Sequence, residues 1–181
     1  EIVCIAHLKP IENEIQELDS YCFQTVGHNM ISAIGEAMGV PVIELGTKGK
    51  AICKSSSYEP NKDDEVEDLY NLLQKVLSQY PEIKGVSSGA ILSNYQRIRI
   101  EHVCSRLGLI SLSYLWQRDQ SELLDEMVNT EGFDAILLKT ASMGLNPTKH
   151  CGKSLYQLQS YFESCKLKFG LNVCGEGGEY E

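Results

Sequence analysis

Gly85-Val86-Ser87-Ser88-Gly89-Ala90-Ile91-Leu92-Ser93-Asn94-Tyr95-Gln96-Arg97-Ile98-Arg99 is the stretch on which the fold turns. Its first part, Gly85 to Leu92, reads as a strand rich in small residues, where a ligand or another segment can approach the backbone closely. Ser93 or Asn94 then caps a helix that runs from about Tyr95 to Leu107 and is terminated by Gly108. On the amino side lies another helix. Asp63 and Asp64 open an acidic first turn, and Leu69, Leu72, Leu73, Val76, Leu77 and Tyr80 follow at the spacing of one buried face, up to Pro81. On the carboxyl side, Leu109 to Trp116 is a further strand. Strands alternating with helices imply an α/β architecture with a largely parallel sheet.

The same rhythm extends to both ends. Ile2 to Ala6 is apolar and partly β-branched, a strand that ends near Lys9-Pro10. An acidic connection from Pro10 to about Asp19 leads to a helix over Thr25 to Met38, where Val26, Met30, Ile34, Ala37 and Met38 share one face. Gly39 and Pro41 stop it, and Pro41 to Leu45 is a strand. The polar stretch that follows, with Lys48, Lys50, Lys54 and Ser55-Ser56-Ser57, reads as a long loop, a feature that in compact domains tends to be functional or mobile. Beyond Trp116 come a helix carrying Leu123, Leu124, Met127 and Val128, and a strand over Asp134 to Lys139. A helix with Leu155, Leu158, Phe162, Cys165 and Phe169 on one side then ends at Gly170, in a C′ position. Leu171 to Cys174 closes as a strand.

Composition restricts the function classes. The formal net charge of −9 argues against sequence-independent binding to DNA or RNA, which needs a basic surface. Seven cysteines, an odd number with no Cys-x-x-Cys pair, read as reduced thiols of a cytoplasmic protein rather than as a disulfide or zinc framework. No apolar run is long enough to span a bilayer. A chain of 181 residues that is 43% hydrophobic can bury a core without staples.

In open α/β sheets, ligands bind beyond the carboxyl ends of the strands. Three strand-to-helix junctions therefore matter. In the first, the N–H groups after Ser93 attract an anion, and Arg97 and Arg99 offer paired donors to phosphoryl oxygens; equally, the arginines can pair with Glu101 or Asp119 on a surface helix. In the second, Cys174-Gly175-Glu176-Gly177-Gly178-Glu179, the glycines bring backbone close to a ligand while Glu176 and Glu179 reach a cation or an amine; the other reading is a flexible hairpin turn with solvated carboxylates. The third is Tyr114-Leu115-Trp116-Gln117-Arg118, whose Trp116 either stacks on a ring or fills a domain interface, and whose Arg118 suits a carboxylate or phosphate. His28, alone on a helix, ranks below the arginines.

Four blocks carry a family resemblance: Leu18-Asp19-Ser20-Tyr21 with Gln24-Thr25-Val26-Gly27-His28, then Gly89 to Arg99, Tyr114 to Arg118, and Val173 to Tyr180. In order and context the chain resembles the diphthine-ammonia ligases (diphthamide synthases), N-type ATP pyrophosphatases whose nucleotide domain has the adenine nucleotide α-hydrolase-like (HUP) fold. The resemblance implies ATP as cosubstrate, accompanied by magnesium. It also implies diphthine on translation elongation factor 2 as the acceptor, ammonia as the nitrogen donor, and an acyl-adenylate between them. It places Ser88, Gly89, Ser93, Gln96, Arg97 and Arg99 on the nucleotide side, with His7 and Leu8 near adenine. Arg97, Glu176 and Glu179 become the catalytic candidates, and Trp116, Arg118, Gly177 and Gly178 the substrate contacts; no protein-held metal is expected.

One departure stands out. Family members carry a Ser-Gly-Gly-Lys-Asp-Ser phosphate loop after their first strand, and no such loop occurs here. Residue 1 is Glu and already sits in a strand-like run, so the chain reads as a segment of a longer protein, inactive alone. The expected organisation is a HUP-like domain over residues 1–117 lacking its first strand, and a smaller α/β domain over 118–181 cut within the glycine-glutamate motif. Two other readings remain: a non-catalytic nucleotide-binding module, or another ATP pyrophosphatase such as a tRNA-thiolating enzyme.

Overall fold

The structure, a computed structural model, describes residues 1–12, 14–15 and 17–181. Asn13 and Gln16, within the acidic connection, lie outside the described residues. The chain divides into two compact units, Glu1–Tyr114 and Leu115–Glu181.

In the first unit, β1 (Ile5–Pro10) pairs in parallel with β2 (Val42–Thr47), and β3 (Gly85–Ser87) with β4 (Ile110–Leu112). These are two separate two-stranded sheets among the described residues, not the single sheet expected. The helices join them: α2 (Glu65–Gln79) packs on β1, β2 and α3 (Asn94–Leu107), and α3 packs in turn on β4. One core results, in which Leu72, Leu73 and Val76 of α2 meet Leu8, Ile43, Val103 and Leu109. Each such aliphatic side chain contributes about 1.5–3 kcal/mol when fully buried.

Several local expectations change for physical reasons. The first strand extends to Pro10 because Ile5 and Ile11 donate to the carbonyls of Pro41 and Thr47, and the two-residue period turns the nitrogen of Pro10 away from β2. The helix expected from Thr25 is shorter. Gly27 sits at φ +73°, so a short 3₁₀ turn (His28–Met30) precedes α1 (Ile31–Met38). Its Met30, Ile34 and Met38 do share a face, but that face is largely exposed, and only Gly35 is buried, where a Cβ would strike Val42. The strands at 85–92 and 109–116 are real but reduced to three residues each.

The second unit contains α4 (Gln120–Asp125), continued by a π-helical turn (Glu126–Thr130), the short α5 (Pro147–His150), and α6 (Leu155–Phe169). Ser154 opens α6 with a full capping box, and Gly170 closes it at φ +75°. Phe162 of α6 lies at the centre of a core with Leu124, Leu137, Leu158 and Val173, stacked on Tyr180 at 4.8 Å. Asp134–Lys139 is not a strand. Its Ile136 and Leu138 face outward, and its backbone bonds go to irregular segments around Lys153 and Glu181, leaving only an isolated bridge at Ile136. Leu171–Cys174 is not a strand either: Leu171 and Val173 are buried at the period of one, but Gly175 N donates to Asn172 O and bends the backbone into a turn. Among the described residues no helix is long and apolar enough to cross a membrane.

Candidate functional site

The first candidate region is built on the N-termini of α2 and α3, where the sequence places acids in one case and Ser93 in the other. Asp64 caps α2 through Oδ1, which accepts from Val66 N at 3.0 Å. Its Oδ2 accepts from Ile52 N and Cys53 N at 2.8 Å each, so one buried carboxylate both starts a helix and holds the loop after β2. Glu65, wholly buried, accepts from Tyr21 N and Cys22 N. Burial pushes its carboxyl above the usual range. Asp68 takes the hydroxyl of buried Thr47 at 2.6 Å. The acidic run thus ties two separate loops onto α2, whereas at the sequence level it reads only as helix-dipole charge.

Arg97 and Arg99, two residues apart, face opposite fates. Arg97 forms a fork with Glu101 at 2.8 and 2.9 Å and also reaches Asn94, the surface pairing that spacing alone left open. Arg99 is 0% exposed. It donates to the carbonyls of Tyr95, Cys53 and Ser55 and lies 3.3 Å over the Tyr95 ring. Its guanidinium is thereby spent within the protein, and it positions the loop that follows β2 rather than presenting donors outward.

The remaining nucleotide-side candidates are placed as follows. Ser93 caps α3 by accepting from Gln96 N, and the Gln96 side chain donates to Cys22 O. Ser88 has its N–H on Leu112 O and a buried hydroxyl without a partner; a Cβ at neighbouring Gly89 would meet nothing within 4 Å. His7 is buried beside Glu44, with Nε2 unpartnered and its pKa lowered by burial, so it is a neutral imidazole. Leu8, next to it, belongs to the hydrophobic core. Ser88 Oγ, just after β3, is a buried polar atom that a polar ligand at that strand's carboxyl end would satisfy, whereas His7 Nε2 lies midway along β1.

The second region is the glycine-glutamate loop of the second unit. Glu179 is buried and works as its hub: Oε1 accepts from Asn172 N and Nδ2, and Oε2 from Gly177 N, at 2.8–2.9 Å. A Cβ on Gly177 would come within 3.0 Å of this carboxylate, and Gly175 and Gly178 take φ of +75° and +73°. Gln120 braces the loop from α4, accepting from Cys174 N and donating to Asn172. The loop is therefore a bonded scaffold rather than a flexible turn with two solvated acids. Glu176 is half-exposed on it, and Gly178 is exposed. Arg118 pairs with Glu126, and Trp116 is half-buried in the turn after β4. Gln120 and Asn172 had no signal in the sequence, since neither belongs to a spacing pattern. No cluster of three or more metal-ligating side chains occurs among the described residues.

Parallel strand–helix–strand units with helix N-termini at the strands' carboxyl ends define an α/β protein. Residues 5–111, nearly all of the first unit, match the family model of the diphthamide synthase N-terminal domain. Across its whole length the chain is 49% identical to a diphthine–ammonia ligase of Bos taurus, covering 68% of that protein. It is also 49% identical to one of Danio rerio, over 99% of the chain and 70% of the relative. A diphthine–ammonia ligase of Saccharomyces cerevisiae is 43% identical over the full chain, which corresponds to 28% of that longer protein. The chain belongs to the diphthamide synthase family.

Proposed function

We propose that this chain carries out ATP-dependent amidation of diphthine on translation elongation factor 2, with ammonia as nitrogen donor and AMP and pyrophosphate as the other products. The observation that carries this reading is near-half identity over the entire chain to relatives named diphthine–ammonia ligase. A carboxylate resists attack by ammonia until one oxygen becomes part of a good leaving group, and ATP supplies that group as an adenylate.

The chain's own residues divide the work. Ser88, Ser93 and Gln96 line the nucleotide side at the first turn of α3, with neutral His7 offering Nε2 to adenine. Arg97 meets the phosphates by leaving Glu101, an exposed i,i+4 pair whose loss costs under about 1 kcal/mol. In the second unit, Glu179 holds the loop in shape through Gly177, and half-exposed Glu176 meets the cationic substrate or the amine, with Gly178 admitting it close to the backbone. Trp116 and Arg118 contact the acceptor, Arg118 by exchanging Glu126 for a substrate carboxylate. The two parallel pairs are two halves of one HUP-like sheet, with a strand bearing the phosphate loop between β1 and β3; the unpaired edges and the exposed stripe of α1 support this. Residues 1–117 would serve the nucleotide and 118–181 the acceptor, in the cytoplasm where the elongation factor works.

The test is transfer of ¹⁵N-ammonia to elongation factor 2 bearing diphthine by the full-length protein, with AMP counted per amide. Arg97→Ala should lower turnover by roughly a hundredfold or more while leaving the fold intact. Unchanged turnover removes Arg97 from the site, and nucleotide binding without AMP formation would make the protein a binding module instead.

A further inference from the structure

The loop after β2 carries a feature that the amidation reading leaves unused. Lys48, Lys50 and Lys54, with Asp19 and Tyr21, line an open basin of about 470 Å³. That is within the roughly 300–1,000 Å³ range of small-molecule sites. Three ammonium groups and one carboxylate leave the basin at about +2 in a chain whose net charge is −9. Lys48 and Lys50 have no ion pair among the described residues, and Lys54 is met only by the face of Tyr21, 4.2 Å away.

The basin is also held in shape. Its rims are the two loops that α2 ties down: Glu65 fixes Tyr21 and Cys22, and Asp64 fixes Ile52 and Cys53. Arg99 grips the same loop at Cys53 and Ser55. Three buried charged side chains are an expensive way to hold two surface loops, since each gives up hydration. What they hold in place is a set of like charges that repel one another until an anion enters. With the backbone of both loops already tied down, a ligand has only the exposed lysine side chains left to order.

We propose that this basin is a binding site for a small phosphate-bearing anion. The charge balance fits a dianionic or more highly charged group better than a single carboxylate, and lysine serves phosphate as a point charge. The inference does not depend on the amidation reading, because it concerns binding and not turnover.

Lysine footprinting tests it site by site. The protein is reductively methylated with and without pyrophosphate, and each lysine is quantified by mass spectrometry. Pyrophosphate should protect Lys48, Lys50 and Lys54 but not Lys84 or Lys168, and the protection should fade at high salt. The double variant Lys48→Gln, Lys50→Gln changes only exposed side chains; it should weaken pyrophosphate protection of Lys54 roughly tenfold, while Lys84→Gln changes nothing. A parallel arm with AMP separates the sources: protection equal to that by pyrophosphate assigns the phosphate to a nucleotide, and absence of it assigns a free anion. Uniform methylation with and without pyrophosphate overturns the proposal. So does an equal effect of Lys84→Gln, or protection by a poly-glutamate peptide where pyrophosphate gives none, which would make the basin a contact for an acidic protein segment.

Discussion

Arg97 and Arg99 show how little spacing says about a side chain's duty. Both follow a helix cap, both are permanently charged, and a helix turn of about 100° per residue sends them to different places. Arg97 lies at the surface in a pair worth about 0.3–0.5 kcal/mol. Arg99 fills three carbonyl acceptors in a wholly buried position. Lysine cannot reproduce that fork, so Arg99→Lys should lower unfolding free energy by about 1–3 kcal/mol in urea titration, while Arg97→Lys stays within about 0.5 kcal/mol. An equal effect of the two would contradict the division. Glu179 poses the same question in the second unit. In Glu179→Gln an amide NH₂ must face either Gly177 N–H or the two donors of Asn172, a donor-to-donor contact. The expected loss is about 1–3 kcal/mol, read by thermal melting. A variant as stable as the parent would mean that the loop does not rest on this carboxylate.

Among the elements, α2 matters most, because its first turn performs two jobs with one set of acids. The leucines and valines along its length explain its burial, and their period was plain in the sequence. The ties from Asp64 and Glu65 to loops 11 to 44 residues away were not, since nothing in an acidic first turn distinguishes dipole compensation from loop anchoring. Asp64→Ala should therefore cost more than a lost cap. About 1 kcal/mol for the cap and a further 1–3 kcal/mol for two stranded amides are expected. Hydrogen exchange locates the effect: the Ile52 and Cys53 amides should exchange faster, while Gly49, whose amide bonds to Thr47 Oγ1, keeps its protection. Loss confined to the helix end would show that the loop holds itself.

For the whole molecule, the buried titratable groups set the pH dependence. His7 is held below its ordinary value of 6.5 by burial, and so is His150, whose Nδ1 accepts from Asn146 N and must stay unprotonated to do so. A base with a depressed folded pKa binds fewer protons than in the unfolded chain, so stability falls as pH drops below about 6.5. Glu67 is held below the usual carboxylate range by hydrogen bonds from Arg106, and its contribution, present above about 4.5, is lost as pH falls through the depressed value. Glu65, raised by burial, works in the opposite sense: its contribution is full at low pH and is lost as pH rises through its folded value. Unfolding free energy should thus decline from pH 6.5 to 4, and Glu65→Gln should raise it at neutral pH, since a side-chain oxygen still accepts from Tyr21 and Cys22. Stability that climbs steadily on acidification would show that Glu65 outweighs the histidines.

The order of strands and helices, the α/β class and the family were all legible in the linear chain, because periodicity, caps and glycine stops are local properties and four motif blocks keep their order. Even there, Asp134–Lys139 and Leu171–Cys174 looked like strands and are not. A strand is completed by its neighbour's backbone, and the segments beside them are turns. Which arginine is buried, which glutamate is a hub, and that the loop of Asp19 and Tyr21 comes against the lysine stretch to form one basin were decided by tertiary structure alone. Burial and convergence depend on contacts between residues far apart in the chain, and no local pattern encodes the distance at which a loop returns.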